Sequence, residues 1–177
     1  LSVALVLYFI AAFHGTTWFQ WARTVLAPLL SIPHAAMAMG LAFLLAPSGW
    51  IVRLISPWAT GFDRPPDLAL APDPYGWSLV LALVIKEVPF LFLMTLGALG
   101  QIPAQKSMQI AQSLGYDRPT GWLKTVLPQL YGQIRLPIFA VLAFSVSVVD
   151  VALILTVTPS PTLGVLILRW ANDPDLS

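Results

Sequence analysis

The chain has 177 residues, of which 58% are hydrophobic and only 10% charged, with a formal net charge of +1 and a mean hydropathy of +0.81. A soluble domain carries about 25% charged residues, so most of this surface faces something other than water, and the near-neutral balance argues against a nucleic-acid partner. With no cysteine, disulfide frameworks and thiolate metal sites are excluded.

Residues 1–13 are apolar but shorter than the roughly 20 residues that cross a bilayer, and read as the clipped end of a span. The chain opens inside this run, without a Met or a basic leader region, so no signal peptide is visible. That opening and the polar end at Ser177 suggest a piece of a longer polypeptide, cut at both ends. Residues 14–24 form a short mixed connection carrying Arg23. Residues 25–46 hold no formal charge and are long enough to span. Pro28 and Pro33 are expected to kink or delay that helix. Met37, Met39, Gly40 and Ala42 give it a small, adaptable packing surface.

Residues 47–74 are a long connection rich in Pro, Asp and Trp. Within it, residues 51–58 suit a short interfacial helix, because tryptophan favours the headgroup region, and residues 61–74 are turn-rich. Residues 75–100 are the next span, with Lys86 and Glu87 in the middle and Pro89 just after. A polar, basic interruption occupies residues 101–135. Residues 136–158 are a further span carrying Asp150, ended by Thr158-Pro-Ser-Pro161. Residues 163–170 suit a short helix, and 172–175 are polar. No tandem repeat is evident. The expected fold is an all-α integral membrane protein of about four spans, one domain over residues 1–177, with a coupling loop at 101–135 inside it.

That loop has the grammar of helix, turn, helix. Ala104, Met108, Ala111 and Leu114 are spaced to give one apolar or small helix face. Gly115 stands where a helix needs a residue of positive φ to stop it. Asp117 suits the N-cap of a second helix, Pro119 its first turn, and Leu127-Pro128 closes the piece. The loop carries Lys106, Arg118, Lys124 and Arg135 against Asp117, a net +3. The connection at 47–74 carries Arg53 and Arg64 against Asp63, Asp67 and Asp73, a net −1. The excess of basic residues places the Gly115 loop in the cytoplasm and the 47–74 connection outside. The tail, with Arg169 against Asp173 and Asp175, then lies outside as well.

Here the sequence resembles a known family. The pattern is similar to the cytoplasmic EAA loop of ATP-binding-cassette (ABC) importer permeases of the MetI-like type. In that loop Glu-Ala-Ala is followed three residues later by Gly, and twelve residues on by a Pro preceded by Leu. Ala111, Gly115, Leu127 and Pro128 stand at matching positions, with Trp122 and Lys124 between them. Gln109 replaces the family's Glu, and Ile110 its first Ala. Pro161-Thr-Leu163 with Arg169-Trp170 resembles the thiamine, polyamine and ferric-iron branch. The ending from Trp170 to Leu176 resembles a little-characterised permease group.

Several residues have competing readings. Lys86, Glu87 and Asp150 are ionisable groups in apolar runs, which makes each a candidate for the translocation path. The alternative is that each satisfies a neighbouring helix. Lys86 and Glu87 point about 100° apart on a helix, so a mutual pair is not guaranteed. His14 and His34 have no nearby carboxylates and suit helix packing better than a metal site. Ser145 and Ser147 lack a histidine partner, so no serine nucleophile is supported. No GxxxxGK[ST] loop occurs, so ATP is expected on a partner and no cofactor on this chain.

The resemblance implies a permease subunit of an ATP-driven solute importer in the bacterial inner membrane, a transport part and not an enzyme. It implies docking of cytoplasmic ATPase subunits on Met108, Gln109, Ala111, Leu114, Gly115, Leu127 and Pro128. It also implies an external solute-binding protein and a second permease half or copy, all set among membrane lipids. A proton-coupled secondary transporter using Lys86, Glu87 and Asp150 is one alternative. A membrane-embedded enzyme using Glu87 or Asp150 with a histidine is another.

Overall fold

The computed structural model describes residues 1–13, 17–56, 58–59, 61, 71–156 and 161–174. Expectations that fall on the connection at His14, on residues 62–70, on Thr158 to Ser160 and on Asp175 lie outside these. Among the described residues the regular elements are helices. They are α1 (Ser2–Phe13), α2 (Thr17–Leu29), α3 (His34–Leu45), α4 (Trp50–Ile55), α5 (Trp77–Leu99), α6 (Ala104–Ser113) and α7 (Arg118–Gly121). A π-helical turn (Trp122–Val126), α8 (Leu127–Ser147), α9 (Asp150–Leu155) and α10 (Leu163–Ala171) follow.

Among the described residues, three stretches are long and apolar enough to cross a membrane: His34–Ile55, Trp77–Leu99 and Arg118–Ser147. The 23 residues of α5 alone rise about 35 Å, against a hydrocarbon core of about 30 Å. This α5 coincides with the span expected at 75–100, and α10 with the short helix expected at 163–170.

Two expected spans are redrawn. The run at 25–46 breaks in the middle. Its first part ends α2, where Leu30 N–H bonds Ala27 O at 3.2 Å and Ser31 N–H bonds Pro28 O at 3.1 Å, tightening the chain into a turn. Pro33 then has no N–H to continue a helix and holds Ile32 away from helical geometry, so α3 restarts at His34. The membrane-length stretch therefore begins at His34 and takes in α4, the helix expected to lie at the interface. The run at 136–158 also breaks, at Val148 and Val149. Its helix begins earlier than expected, because α7, the π turn and α8 are continuous.

The chain divides into two compact units: Leu1–Ser31 with Lys86–Leu142, and Ile32–Ile85 with Ala143–Ser177. In the first, α1 contributes buried Val6 and Ile10, flanked by Val3 and Leu7 at helical spacing. Against them lie Leu91, Phe92, Ala98 and Leu99 of α5, and Leu130 and Ile134 of α8. The Phe9 ring meets Phe92 edge-on, with centroids 5.8 Å apart. In the second unit, α3, α9 and the first part of α5 meet on alanines: Ala38, Ala82 and Ala152 are fully buried. Lipid tails are as apolar as these side chains, so close van der Waals approach holds such helices together, and alanine permits it.

Asp73 fixes where α5 starts. Its carboxylate accepts the Trp77 N–H at 2.7 Å and the Ser78 N–H at 2.9 Å, two donors of the first helical turn that have no partner within the helix. The Ser78 hydroxyl lies between this carboxylate and the Leu155 carbonyl, 2.8 Å from the latter. Asp73 N–H also reaches Leu155 O at 3.3 Å, so the end of α9 is tied to the start of α5. Burial pushes the Asp73 carboxyl up, but the bonds from the Ser78 hydroxyl and from the Ser78, Trp77 and Tyr75 N–H groups outweigh it and leave it below the ordinary 3.8.

Asp73→Ala is expected to cost about 1–2 kcal/mol, read as a thermal midpoint lowered by a few degrees in detergent. A carboxyl whose folded value is depressed contributes fully above its unfolded value near 3.8 and loses that contribution as pH falls through the lower folded value. Midpoints followed from about pH 6 to about pH 3 should fall at the acid end, and less so in Asp73→Ala; parallel profiles would count against this role.

Candidate functional site

The loop between α5 and α8 is built by local rules. Residues 104–113 (Ala-Gln-Lys-Ser-Met-Gln-Ile-Ala-Gln-Ser) are mostly strong helix formers, and Pro103 precedes them at the N-cap. The stop is a Schellman motif. Gly115, at φ +84°, donates its N–H to Gln112 O at 3.0 Å, and Tyr116 N–H returns to Ala111 O at 3.1 Å. Glycine takes this left-handed conformation without a Cβ penalty. Asp117 occupies the N-cap of α7 as expected, although its side chain makes no capping bond, and Pro119 lies in the first turn.

Leu127-Pro128 does not close the second helix, contrary to expectation. The chain turns once as a π-helix, with Leu127 N–H bonded to Trp122 O five residues back, and continues as α8 to Ser147. A proline inside a helix removes one N–H and crowds the preceding turn. The wider π turn sits where that crowding would fall. Side chains supply bonds to carbonyls there: Thr125 Oγ1 donates to Gly121 O at 2.8 Å, and Gln129 Nε2 to Thr125 O at 2.6 Å.

The expected docking face of Met108, Ala111 and Leu114 divides. A Cβ placed on Gly121 would lie 3.1 Å from Ala111 Cβ and 3.4 Å from Met108 Sδ. Ala111 is 1% exposed and Met108 half-buried, so both pack inward, where α7 covers them. The reason is geometric: a two-helix loop buries its small residues between its own helices first. Left outward are Gln109, Ile110 (61% exposed), Ser113 and Leu114 (71% exposed). Lys124 Nζ lies 4.6 Å from the Tyr116 ring centre, a cation–π contact that closes the turn. Beside the loop a cleft of about 590 Å³ is lined in part by Gln105, Gln109, Gln112 and Arg118, side chains suited to bonding a partner's carbonyls or carboxylates.

The intramembrane charges are placed one by one. Lys86 is buried on α5, with Nζ donating to Leu29 O at 2.9 Å and Leu30 O at 3.3 Å. It sits on the open C-terminal carbonyls of α2, where a cation is favourable. The adjacent Glu87 accepts a short hydrogen bond from the Ser2 hydroxyl on α1. Each side chain thus joins α5 to a different helix of the same unit. Asp150 is not in the middle of a span. It is exposed and opens α9 just after the break at Val148–Val149, a place where an acid complements the helix dipole. It belongs to the other unit. His34 stacks on Phe144, with ring centres 4.8 Å apart, a packing contact in the second unit.

Sequence reasoning missed Asp73, Ser78, Ser107, Thr125 and Gln129. The first pair had a signal: an Asp four residues before an apolar helical run, ahead of a serine in its first turn. The others had none toward one another across the loop, because Ser107 stands 18 and 22 positions from Thr125 and Gln129.

Lys86→Met should leave the Leu29 and Leu30 carbonyls without that donor and cost about 1–3 kcal/mol, seen as reduced folded yield and thermal midpoint in detergent. Transport per folded molecule should stay unchanged. Normal folding with transport lost would assign Lys86 to the translocation path instead.

No protein-family model matches the chain. Over 178 aligned residues, covering 99% of this chain, it is 32% identical to the inner membrane ABC transporter permease protein YnjC of Escherichia coli (strain K12). The chain spans 32% of that protein's length. Among the described residues the chain is all-helical with three membrane-length stretches, and it is similar to a part of an inner membrane ABC transporter permease.

Proposed function

We propose that this chain, which stands with the ABC transporter permeases, forms part of the translocation pathway of an ATP-driven solute importer. Its loop at 104–128 receives the cytoplasmic ATPase subunits. One observation carries this reading: a two-helix loop, closed by a Schellman turn at Gly115, joins two membrane-length stretches and turns Ile110 and Leu114 outward. Large apolar side chains on a loop outside the spans are unfavourable until a partner covers them. Gln109, at the family's Glu position, is exposed beside them and offers a carboxamide in place of a charge.

The mechanism is mechanical. An external binding protein delivers solute to the outer face. The ATPase subunits close on ATP and push the loop. Because α7, the π turn and α8 are one continuous helix, the push enters the third membrane-length stretch directly. A second permease half or copy completes the path. A proton relay through Lys86 and Glu87 is less well supported, since both side chains hold neighbouring helices together.

Cysteine labelling tests the orientation. A cysteine at Ser107 should be labelled only from the cytoplasm, and one at Ala69 only from outside. The reverse pattern would overturn the docking assignment.

Loop variants test the docking itself. Ile110→Asp and Leu114→Asp should each weaken ATPase association by about tenfold or more, by placing a charge in a desolvated contact. Gly115→Val puts a β-branched residue at φ +84°, which costs more than about 1 kcal/mol, and should uncouple ATP hydrolysis from transport. Ala111→Asp acts differently: it should unfold the loop, because Ala111 faces Gly121 and not a partner. Wild-type association and coupling in all of the Ile110, Leu114 and Gly115 variants would remove the loop from the mechanism.

A further inference from the structure

The π turn stands between the loop and the membrane-length helix that follows it. A π turn carries an extra residue and is rare beside the α-helix around it, and such turns are frequently found at functional sites. Helices bend sharply at such turns, so it is the place where this helix can yield or slip. A force applied to the loop is then absorbed by that slippage unless the turn is held in place.

Two contacts hold it. On its N-terminal side Gly121 packs so closely on Ala111 and Met108 that even a methyl group would crowd them. On its C-terminal side Gln129, one turn into α8, reaches back with a single carboxamide to two places. Its Nε2 donates to Thr125 O inside the π turn at 2.6 Å and to Ser107 Oγ on α6 at 3.1 Å. Thr125 Oγ1, which bonds Gly121 O, lies 3.5 Å from Ser107 O as well. Both hydrogens of one amide are therefore spent on tying α6, the π turn and α8 to a common point. Pro128, with no N–H, adds a residue past which the turn cannot move without losing a bond.

We propose that Gln129 is a positioning residue that pins the π turn to α6, so that the loop and the start of α8 move as one lever. The inference rests on the reading of the loop as the place where a partner's motion enters. Gln129 touches no partner in this scheme. It sets whether displacement of α6 becomes displacement of α8 or is lost in the turn.

The test uses the full-length permease with its partners, in three variants: Gln129→Leu, Ser107→Ala and the two together. Gln133→Leu, an exposed change one turn further along α8, is the control. These 177 residues hold no cysteine, so spin labels at Lys106→Cys and Tyr131→Cys, both exposed and outside the docking face, report the distance between α6 and α8. Gln129→Leu should broaden that distance distribution. It should also lower the ratio of solute-stimulated to basal ATP hydrolysis by roughly fivefold or more, with ATPase association unchanged. Ser107→Ala, the milder change, should do the same to a smaller degree, and the double variant should be no worse than Gln129→Leu alone, because the one Gln129 bond that Ser107→Ala removes is already lost there. Gln133→Leu should alter neither reading.

An unchanged distance distribution in Gln129→Leu overturns the pin. A broadened distribution with a normal hydrolysis ratio overturns the lever, as does an equal loss in Gln133→Leu. If the unaltered protein associates with no ATPase, the importer reading fails, and the label distances alone still decide the pin.

Discussion

Every place where a helix of this chain starts, stops or is interrupted leaves backbone groups without helical partners, and lipid supplies none. Several polar side chains are spent on that problem. Lys86 covers the carbonyls at the end of α2. Asp73 covers the N–H groups at the start of α5. Ser78 reaches the last carbonyl of α9. Gln129 and Thr125 cover carbonyls around the π turn. Prolines create much of the need: Pro33 forces the restart at α3, and Pro128 sits beside the π turn. In a chain with only 10% charged residues, these bonds decide which helix breaks are tolerated.

This economy bears on function. A charge committed to a helix end is a poor candidate for a relay, because losing or gaining a proton there would release the helix it holds. Lys86 and Glu87 are committed in this way, each to a separate helix. Among the described residues, Ile110, Leu114 and Gln109 on α6 are exposed between the membrane-length stretches, beside a cleft lined in part by glutamines and Arg118. The coupling proposed above would demand stiffness between that surface and the membrane, which the continuity from α7 to α8 and the contacts that hold the π turn would provide.

The sequence by itself determined the class of the molecule, and did so through bulk and local signals. Long uncharged runs require a bilayer, and the 23-residue run that became α5 needed only its length and hydropathy to be read. Gly115 was legible because a helix stop depends on one residue's φ, and the loop around it because its spacing is local. Tertiary structure alone decided the rest. Whether residues 25–46 formed one helix turned on how Pro28, Ser31 and Pro33 closed a turn and on a lysine more than fifty positions away that covers it. Which side of α6 faces outward was settled by Gly121, whose missing side chain lets Ala111 and Met108 pack inward and leaves Leu114 out. The role of Lys86 hung on the distance to Leu29 and Leu30, and that of Gln129 on the distance to Ser107. Periodicity along one helix reports that a face is apolar. It carries no information on what covers that face, because the covering element is set by packing between segments remote in the chain.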